Sequence, residues 1–581
     1  MGTPHLRHLG SCPRPLEYQA PNMSSKEGSI EPKAVNPSEG IIGNEASGNS
    51  DGLHRRLDNR QIQLIAIGGT IGTGVFVGIG AGLAKGGPGS LLVCTALYGC
   101  VMALVNNCIA EMNTYMPVSG GFIRLAGAWV DDALGFMVGW NYFFYEALLI
   151  PFEIVALNLV LSFWNEKVTE PGPTAGVCLG VIITYGILNV LAVGVFGEAE
   201  FWLSAGKVLL FFILFGFTFV TMVGGNPQGD AYGFRHFHGA ENAFASFRSE
   251  GNAGRMEGFM GCLASAAFFV VGPDYISMVA AEAKHPSIYI KTAFKTVYIR
   301  FGIFFIGAAL SCGIVLSHTD EALVRINIDG VGGGTAAASP WVMAMENMGI
   351  SVLPHVVNAL LFTTIYSAGN TYTYCATRSL YSLALEGRAP AFFRKCTSNG
   401  VPIYCFCFVM LFPFLSFLSV DSGSAKALNI LLALITGGGV VDYVVMCITF
   451  IFYYRACVAQ GVNRKALPYY GYFQPYGAWI ALVLLVIVLY CYGYTAFAPW
   501  DTVTFFSNYT MQLIAPFLYL GWKLFKKTRL IKPHEADLVW DRPLIDAYEA
   551  RMMIEEPPTT FGQEMMALFG LSKVKRLVTK A

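Results

Sequence analysis

The stretch "IAIGGTIGTGVFVGIGAG", Ile65 to Gly82, holds seven glycines among residues apolar enough for a membrane helix. A glycine inside a helix costs about 1 kcal/mol relative to alanine. One or two serve close packing of helices. The run Gly68-Gly69-Thr70-Ile71-Gly72-Thr73-Gly74 is too dense for that alone. It reads as a helix interrupted near the middle of a bilayer. Backbone groups freed by such a break are tolerated in lipid only where they line a cavity or meet a ligand. A dinucleotide-binding loop does not fit, because the run lacks GxGxxG and follows no strand.

A second break stands in the other half of the chain. "FFVVGPDYISM" (Phe268–Met278) sets Gly272 and Pro273 inside an apolar run, with Asp274 beside them. Proline removes a backbone donor and clashes with the preceding turn. The two broken spans are five apart, which points to two five-helix inverted repeats with two helices appended. A half-helix N-terminus suits a carboxylate, and half-helix C-termini with unwound carbonyls suit an ammonium group. A site with both ends fits a zwitterion. The plainer reading is two packing or kink sites without a ligand.

Composition agrees with a polytopic membrane protein. Of 581 residues, 54% are hydrophobic and 13% charged, and mean hydropathy is +0.51. Soluble domains carry about 25% charged residues. Lys+Arg and Asp+Glu balance at 38 each, so nothing argues for nucleic acid. The fourteen cysteines lie mostly singly in apolar runs, and none has zinc-ligand spacing.

A span needs about 20 apolar residues. Twelve stretches meet this: 62–84, 90–112, 134–163, 174–194, 199–224, 258–281, 298–317, 353–376, 401–420, 428–454, 477–497 and 503–525. The expected architecture is an all-α polytopic protein of twelve transmembrane helices, with a LeuT-like 5+5 inverted repeat. Residues 1–60 read as a disordered cytoplasmic tail carrying a sequon at Asn22. Residues 61–525 form the transporter domain, with repeats at 61–224 and 258–454 and additional helices at 477–525. Residues 526–581 form a C-terminal tail. Arg124, Lys284, Lys291, Lys295, Arg300, Arg378, Arg388, Arg394 and Lys395 lie at loops on one side, which the positive-inside rule makes cytoplasmic, with both termini. No loop has the roughly 50–200 residues of a catalytic domain, so function must live inside the bundle.

Charges at membrane depth are functional candidates by default. Lys207 sits in "EFWLSAGKVLLFF", where it exchanges a proton, supplies a fixed charge, or snorkels to the surface. Glu146 and Glu153, seven residues apart, share one face of their helix and suggest proton handling or attraction of a cation. The structural alternative is bonding to backbone freed by Pro151. Asp274 abuts the second break, where capping of the lower half-helix is the alternative. Asp442 is the weakest candidate. Ser367, Asn370, Thr371 and Tyr374 form one polar helical face, either bonding between helices or lining a path.

Six motifs together resemble the fungal amino acid permeases, the yeast amino acid transporter family of the amino acid–polyamine–organocation superfamily. They are "GGTIGTGVFVGIG", "PVSGGFIRLAG", "ALGFMVGWNY", "GEAEFWLSAGKV", "SAGNTYTYCATRSLYSLALEGRAP" and "NGVPIY", within roughly residues 57–542. The resemblance implies proton-driven uptake of L-amino acids at the plasma membrane by alternating access. It implies that Gly72, Thr73 and Gly74 hold the substrate carboxylate, with Ile71 also at the substrate. Phe268, Phe269 and Val270 would accept the ammonium group and form part of a gate, with Asp274, Ser367 and Asn370 beside the substrate. Lys207 would replace a sodium ion, and Glu153 would link to coupling, with Glu146 a further proton candidate. It also implies ubiquitin-ligase adaptors as partners of the tails. The chain departs from the family in having Gly272-Pro273-Asp274 where G-x-E is usual, "HPSI" for N-P-R-K, and Glu146 where an aromatic residue is common. An extra carboxylate opens the alternative of a carnitine or polyamine carrier. The charged segment "KPHEADLVWDRPLIDAYEA" (Lys532–Ala550) and "LFGLSKVKRLV" (Leu568–Val578) open another, a nutrient-sensing transceptor.

Overall fold

A computed structural model of the chain describes residues 55–190, 193–238, 243–328, 339–397, 400–422, 424–497 and 499–568, all within one compact unit. The expectations for residues 1–54, the Asn22 sequon included, and for the final membrane-surface segment beyond Leu568 lie outside the described residues. Among the described residues the fold is helical, without strands. The first half comprises α1 (Asn59–Gly68), α2 (Ile79–Tyr115), α3 (Gly121–Trp129), α4 (Asp132–Leu161), α5 (Pro171–Val190) and α6 (Val193–Met222). The second comprises α7 (Gly251–Phe269), α8 (Pro273–Val279), α9 (Pro286–Arg300), α10 (Gly307–Val315), α11 (Glu321–Asn327), α12 (Pro340–Asn347), α13 (Leu353–Leu385), α14 (Ile403–Val409), α15 (Leu418–Ser422) and α16 (Ser424–Ala459). Then follow α17 (Tyr476–Cys491), α18 (Thr502–Lys526), α19 (Arg542–Glu555) and α20 (Phe561–Leu568).

Both glycine-rich stretches break their helices. α1 stops at Gly68, the chain turns through residues 69–73, and a π-helical segment Gly74–Gly78 leads into α2. α2 itself turns at Gly87, whose φ of 76° lies in the left-handed region, ahead of Pro88. α7 stops at Phe269, and α8 restarts at Pro273 in the first turn, where its missing N–H costs nothing. The breaks face each other. A side chain on Gly272 would come within 2.8 Å of the Thr70 methyl, and one on Gly74 within 3.0 Å of Phe268 and Phe269.

Nine helical segments among the described residues are long and apolar enough to cross a bilayer. The span read at 62–84 is divided by its break. α13 and α18, at 33 and 25 residues, fall outside the nine because polar side chains dilute their hydropathy. Large apolar side chains point outward along α6 (Phe212, Phe219), α17 (Ile480, Val483, Ile487) and α18 (Phe517, Leu520, Leu524). A continuous apolar exterior over buried polar groups is the pattern of a protein solvated by lipid. The protein is therefore a multi-pass membrane protein. We call the end bearing α3 and α19 the tail face and the end bearing α11 and α12 the loop face.

The tail after α18 is docked against the tail face rather than free. Ile531 N donates to Val130 O (2.9 Å), the Trp129 indole to Asp537 O (2.9 Å) and the Tyr115 hydroxyl to Leu538 O (2.9 Å). The segment read from sequence as a partner-binding tail is thus occupied by its own chain.

Gly272 adopts φ 148°, a conformation reserved for glycine, and has no room for a Cβ. Gly272→Ala is expected to cost about 1–3 kcal/mol of stability. Thermal unfolding of detergent-solubilised protein measures it, and adding Thr70→Ser should recover only the steric share.

Candidate functional site

The end of α1 is built around a cation. The last carbonyls of a helix lack intrahelical partners and carry partial negative charge. The Lys207 ammonium of α6, wholly buried, donates to Gly68 O at 2.5 Å. The Tyr372 hydroxyl of α13 donates to the next carbonyl, Gly69 O, at 3.1 Å. Lys207 therefore does not snorkel. Its counter-charge is Glu200, two turns earlier on the same helix, 4.0 Å away and equally buried. Ser204 Oγ donates to Glu200 at 3.0 Å, and Ser367 Oγ also donates to it. Sequence reading missed Glu200 by treating it as the edge of a span. The seven-residue spacing from Lys207 was the available signal.

Beyond the break, Thr73 donates its hydroxyl to the Glu153 carboxylate of α4. Gly72 allows this approach: a Cβ there would lie 3.0 Å from Ala368, 3.1 Å from Glu153 Oε1 and 3.3 Å from the Tyr372 hydroxyl. The backbone restarting at Gly74 presents first-turn N–H groups, the donors that a carboxylate takes up. Across from it, α7 ends at Phe268 and Phe269 with its last carbonyls free of intrahelical partners. Phe268 stacks edge-on against Phe152 with ring centroids 5.4 Å apart. Its ring also lines a cleft of about 540 Å³ with Gly78, Lys85, Ser265, Thr436 and Asn508. Phe268 thus stands between this loop-face cleft and the Gly72–Gly74 turn.

The remaining candidates separate into two groups. Asp274 accepts from Gly272 N (3.3 Å) and from the Tyr443 hydroxyl of α16 (3.1 Å), joining α8 to α16. Asp442 accepts from Asn141 at 2.9 Å. Both Glu146 oxygens are buried without a hydrogen bond, with Asp274 and Asp442 as acidic neighbours and the Tyr142 and Tyr275 hydroxyls nearby. Neither glutamate of α4 bonds to backbone at Pro151. On α13, Ser367 serves Glu200, Asn370 accepts from Asn189 of α5 at 2.8 Å, and Thr371 bonds Ser367 O at 3.2 Å. Ser367 and Asn370 therefore tie α13 to α6 and α5. Val270 and Ile71 are buried at the two breaks. Further along α13, Arg378 forms a buried pair with Glu282 at 2.7 Å, which the sequence did not reveal. Among the described residues no group of His, Cys, Asp and Glu is arranged to hold a metal ion.

Two interrupted helices thus lay their open ends against each other inside a lipid-facing bundle, beside the ring of Phe268. The family model described as amino acid permease matches residues 61–535. The chain belongs to the amino acid permease family. This permease is 40% identical to General amino acid permease AGP2 of Saccharomyces cerevisiae, over 86% of its own length and 85% of that protein. It is 33% identical to a dicarboxylic amino acid permease of the same yeast, over 86% and 81%. It is also 33% identical to a proline-specific permease of Emericella nidulans, over 87% and 91%. The permease is a transporter and not an enzyme.

Lys207→Met leaves Glu200 buried without its cation, for an expected loss of about 3–5 kcal/mol. Combining it with Glu200→Gln should restore the share due to the uncompensated carboxylate, while the share due to the unpaired Gly68 carbonyl remains. Thermal unfolding of both variants checks this, and equal losses would show that the two groups do not act as a pair.

Proposed function

We propose that this permease imports L-amino acids across the plasma membrane together with protons, by alternating access in a twelve-helix, LeuT-like bundle with both termini cytoplasmic. The observation that carries the reading is the pair of facing breaks, at residues 69–73 and 270–272, with opposite open ends. The substrate carboxylate sits on the N–H groups of Gly72, Thr73 and Gly74. Its ammonium group sits on the carbonyls of Phe268, Phe269 and Val270, and Phe268 gates the loop-face cleft. The tail face is cytoplasmic. Residues 526–581 form its cytoplasmic tail.

Coupling follows from shared atoms. Glu153 bonds Thr73, and Thr73 belongs to the turn that takes the carboxylate. Protonation of Glu153 and occupancy of that turn therefore act on one another, and such linkage is reciprocal. Lys207 holds the end of α1 where a sodium ion would otherwise be needed. Asp274, Ser367 and Asn370 act by fixing the helices that flank the substrate. The relatives range by name from a dicarboxylic amino acid permease to a probable lysine/arginine permease, so family membership leaves the substrate's side chain open. The unpartnered Glu146 favours a second reading, a carrier for cationic substrates such as carnitine or polyamines.

Uptake in permease-deficient yeast decides between these readings. Neutral, acidic and basic amino acids, carnitine and spermidine are compared at acid and near-neutral pH, with and without a protonophore. Amino acid uptake should fall as pH rises and collapse with the protonophore. Glu153→Gln should lose roughly tenfold or more at acid pH, equal to about 1.4 kcal/mol per decade. Uptake restricted to carnitine or spermidine, and lost in Glu146→Gln, would establish the second reading instead.

A further inference from the structure

The tail meets the bundle in two chemically different halves. The first half, residues 531–542, lies on α2, α3 and α16, with Ala536 and Leu538 buried. Gln460 donates to Ala536 O (2.6 Å) and Arg542 to Tyr115 O (2.6 Å). The second half, residues 549–564, reaches the parts of the bundle that lead into the breaks. Glu564 accepts from Arg60 N at 2.7 Å, in the first turn of α1, and Asn59 donates to Thr559 O at 3.2 Å. Glu549 accepts from Ser287 N at 2.6 Å, in the first turn of α9. Two tail carboxylates thus cap two helix N-termini, where orphan N–H groups and the helix dipole favour negative charge.

Between the two caps, Lys284 bridges Asp58 (3.0 Å) and Glu556 (3.2 Å), and His285 Nε2 bonds Glu556 O at 2.7 Å. Partial burial alone would lower the pKa of Lys284, but its bonds to Asp58 and Glu556 outweigh this and raise it above the ordinary lysine value. Leu57 and Ala283 form a parallel bridge beside this lysine, joining the entry to α1 with the exit from α8. This seam is not a packed core. α19 buries only Ile545, α20 buries nothing, and a cleft of about 240 Å³ remains between Lys284, Tyr289, Glu556 and Thr559.

We propose that residues 549–564 are a releasable latch. Anchored through residues 531–542 to the ends of α2, α3 and α16, they hold α1 and the α8–α9 connection together and keep the tail face shut. Polar contacts with little buried apolar area make the latch cheap to open, whereas the anchor stays in place. For its consequence in transport the latch rests on the alternating-access reading. Its test reads opening without any substrate, so it stands or falls separately from uptake.

Hydrogen exchange of the full-length chain in lipid nanodiscs, followed by mass spectrometry, provides the test. Native-state exchange reports local and sub-global opening. In Glu549→Ala/Glu564→Ala, amides throughout α1 and residues 279–286 should exchange at least tenfold faster than in the parent protein, with α4 unchanged. Exchange unaltered, or faster only in the first turn of α1 and of α9, would reduce the two glutamates to local caps and overturn the latch. Should that variant fail to fold, as shown by loss of protection in α4, Lys284→Ala is read by the same two outcomes.

Discussion

The contact on which the site depends is the ammonium of Lys207 against the carbonyl of Gly68. Ending a helix in the middle of a bilayer leaves carbonyl oxygens where no water is at hand, and each costs several kcal/mol if unpaired. Lys207 meets one with a full charge, Tyr372 meets the next, and Glu200 balances the lysine. Because these three groups come from α6 and α13, α1 can stop where it does. The chain is then free to turn at Gly72 and set Thr73 against Glu153. The approach of α4, and with it the geometry of the turn, follows from that one ion.

Much of this was legible in the sequence because glycine and proline act locally. The density of glycines from Gly68 to Gly74 and the pair Gly272-Pro273 located both breaks without any knowledge of neighbours. Periodicity placed Glu146 and Glu153 on one helix face. What periodicity does not carry is which neighbour a face meets. Glu153 found Thr73 of α1, while Glu146 faces Asp274 and Asp442 from helices more than a hundred residues away. Ser367 and Asn370 read equally as path lining and as bonds between helices, and only the packing of α13 on α5 and α6 shows which helices they bond. Hydropathy failed in the same place: α13 is polar enough to fall below a membrane threshold because it serves other helices.

The tail illustrates a different blind spot. Its charges read as free to bind other proteins because sequence shows the sign of a group and not its partner. Glu549 and Glu564 are acceptors for N–H groups of α9 and α1 respectively, and no pattern within residues 532–568 encodes that. Docking of this kind is specified on the other side, by exposed helix N-termini whose donors are otherwise unmet.

α13 has a mechanical consequence. Along one rigid helix, Ser367 grips α6 through Glu200, Tyr372 grips the turn after α1, and Arg378 grips the end of the segment after α8. At 1.5 Å rise per residue these holds span about 16 Å, and at 100° per residue the middle one points well away from the outer two. A rod pinned on two sides at three heights resists rolling about its own axis but still permits rocking. Through these three holds α13 ties α6, the turn after α1 and the segment after α8 into one mechanical unit, so none of them shifts along the helix without straining the others.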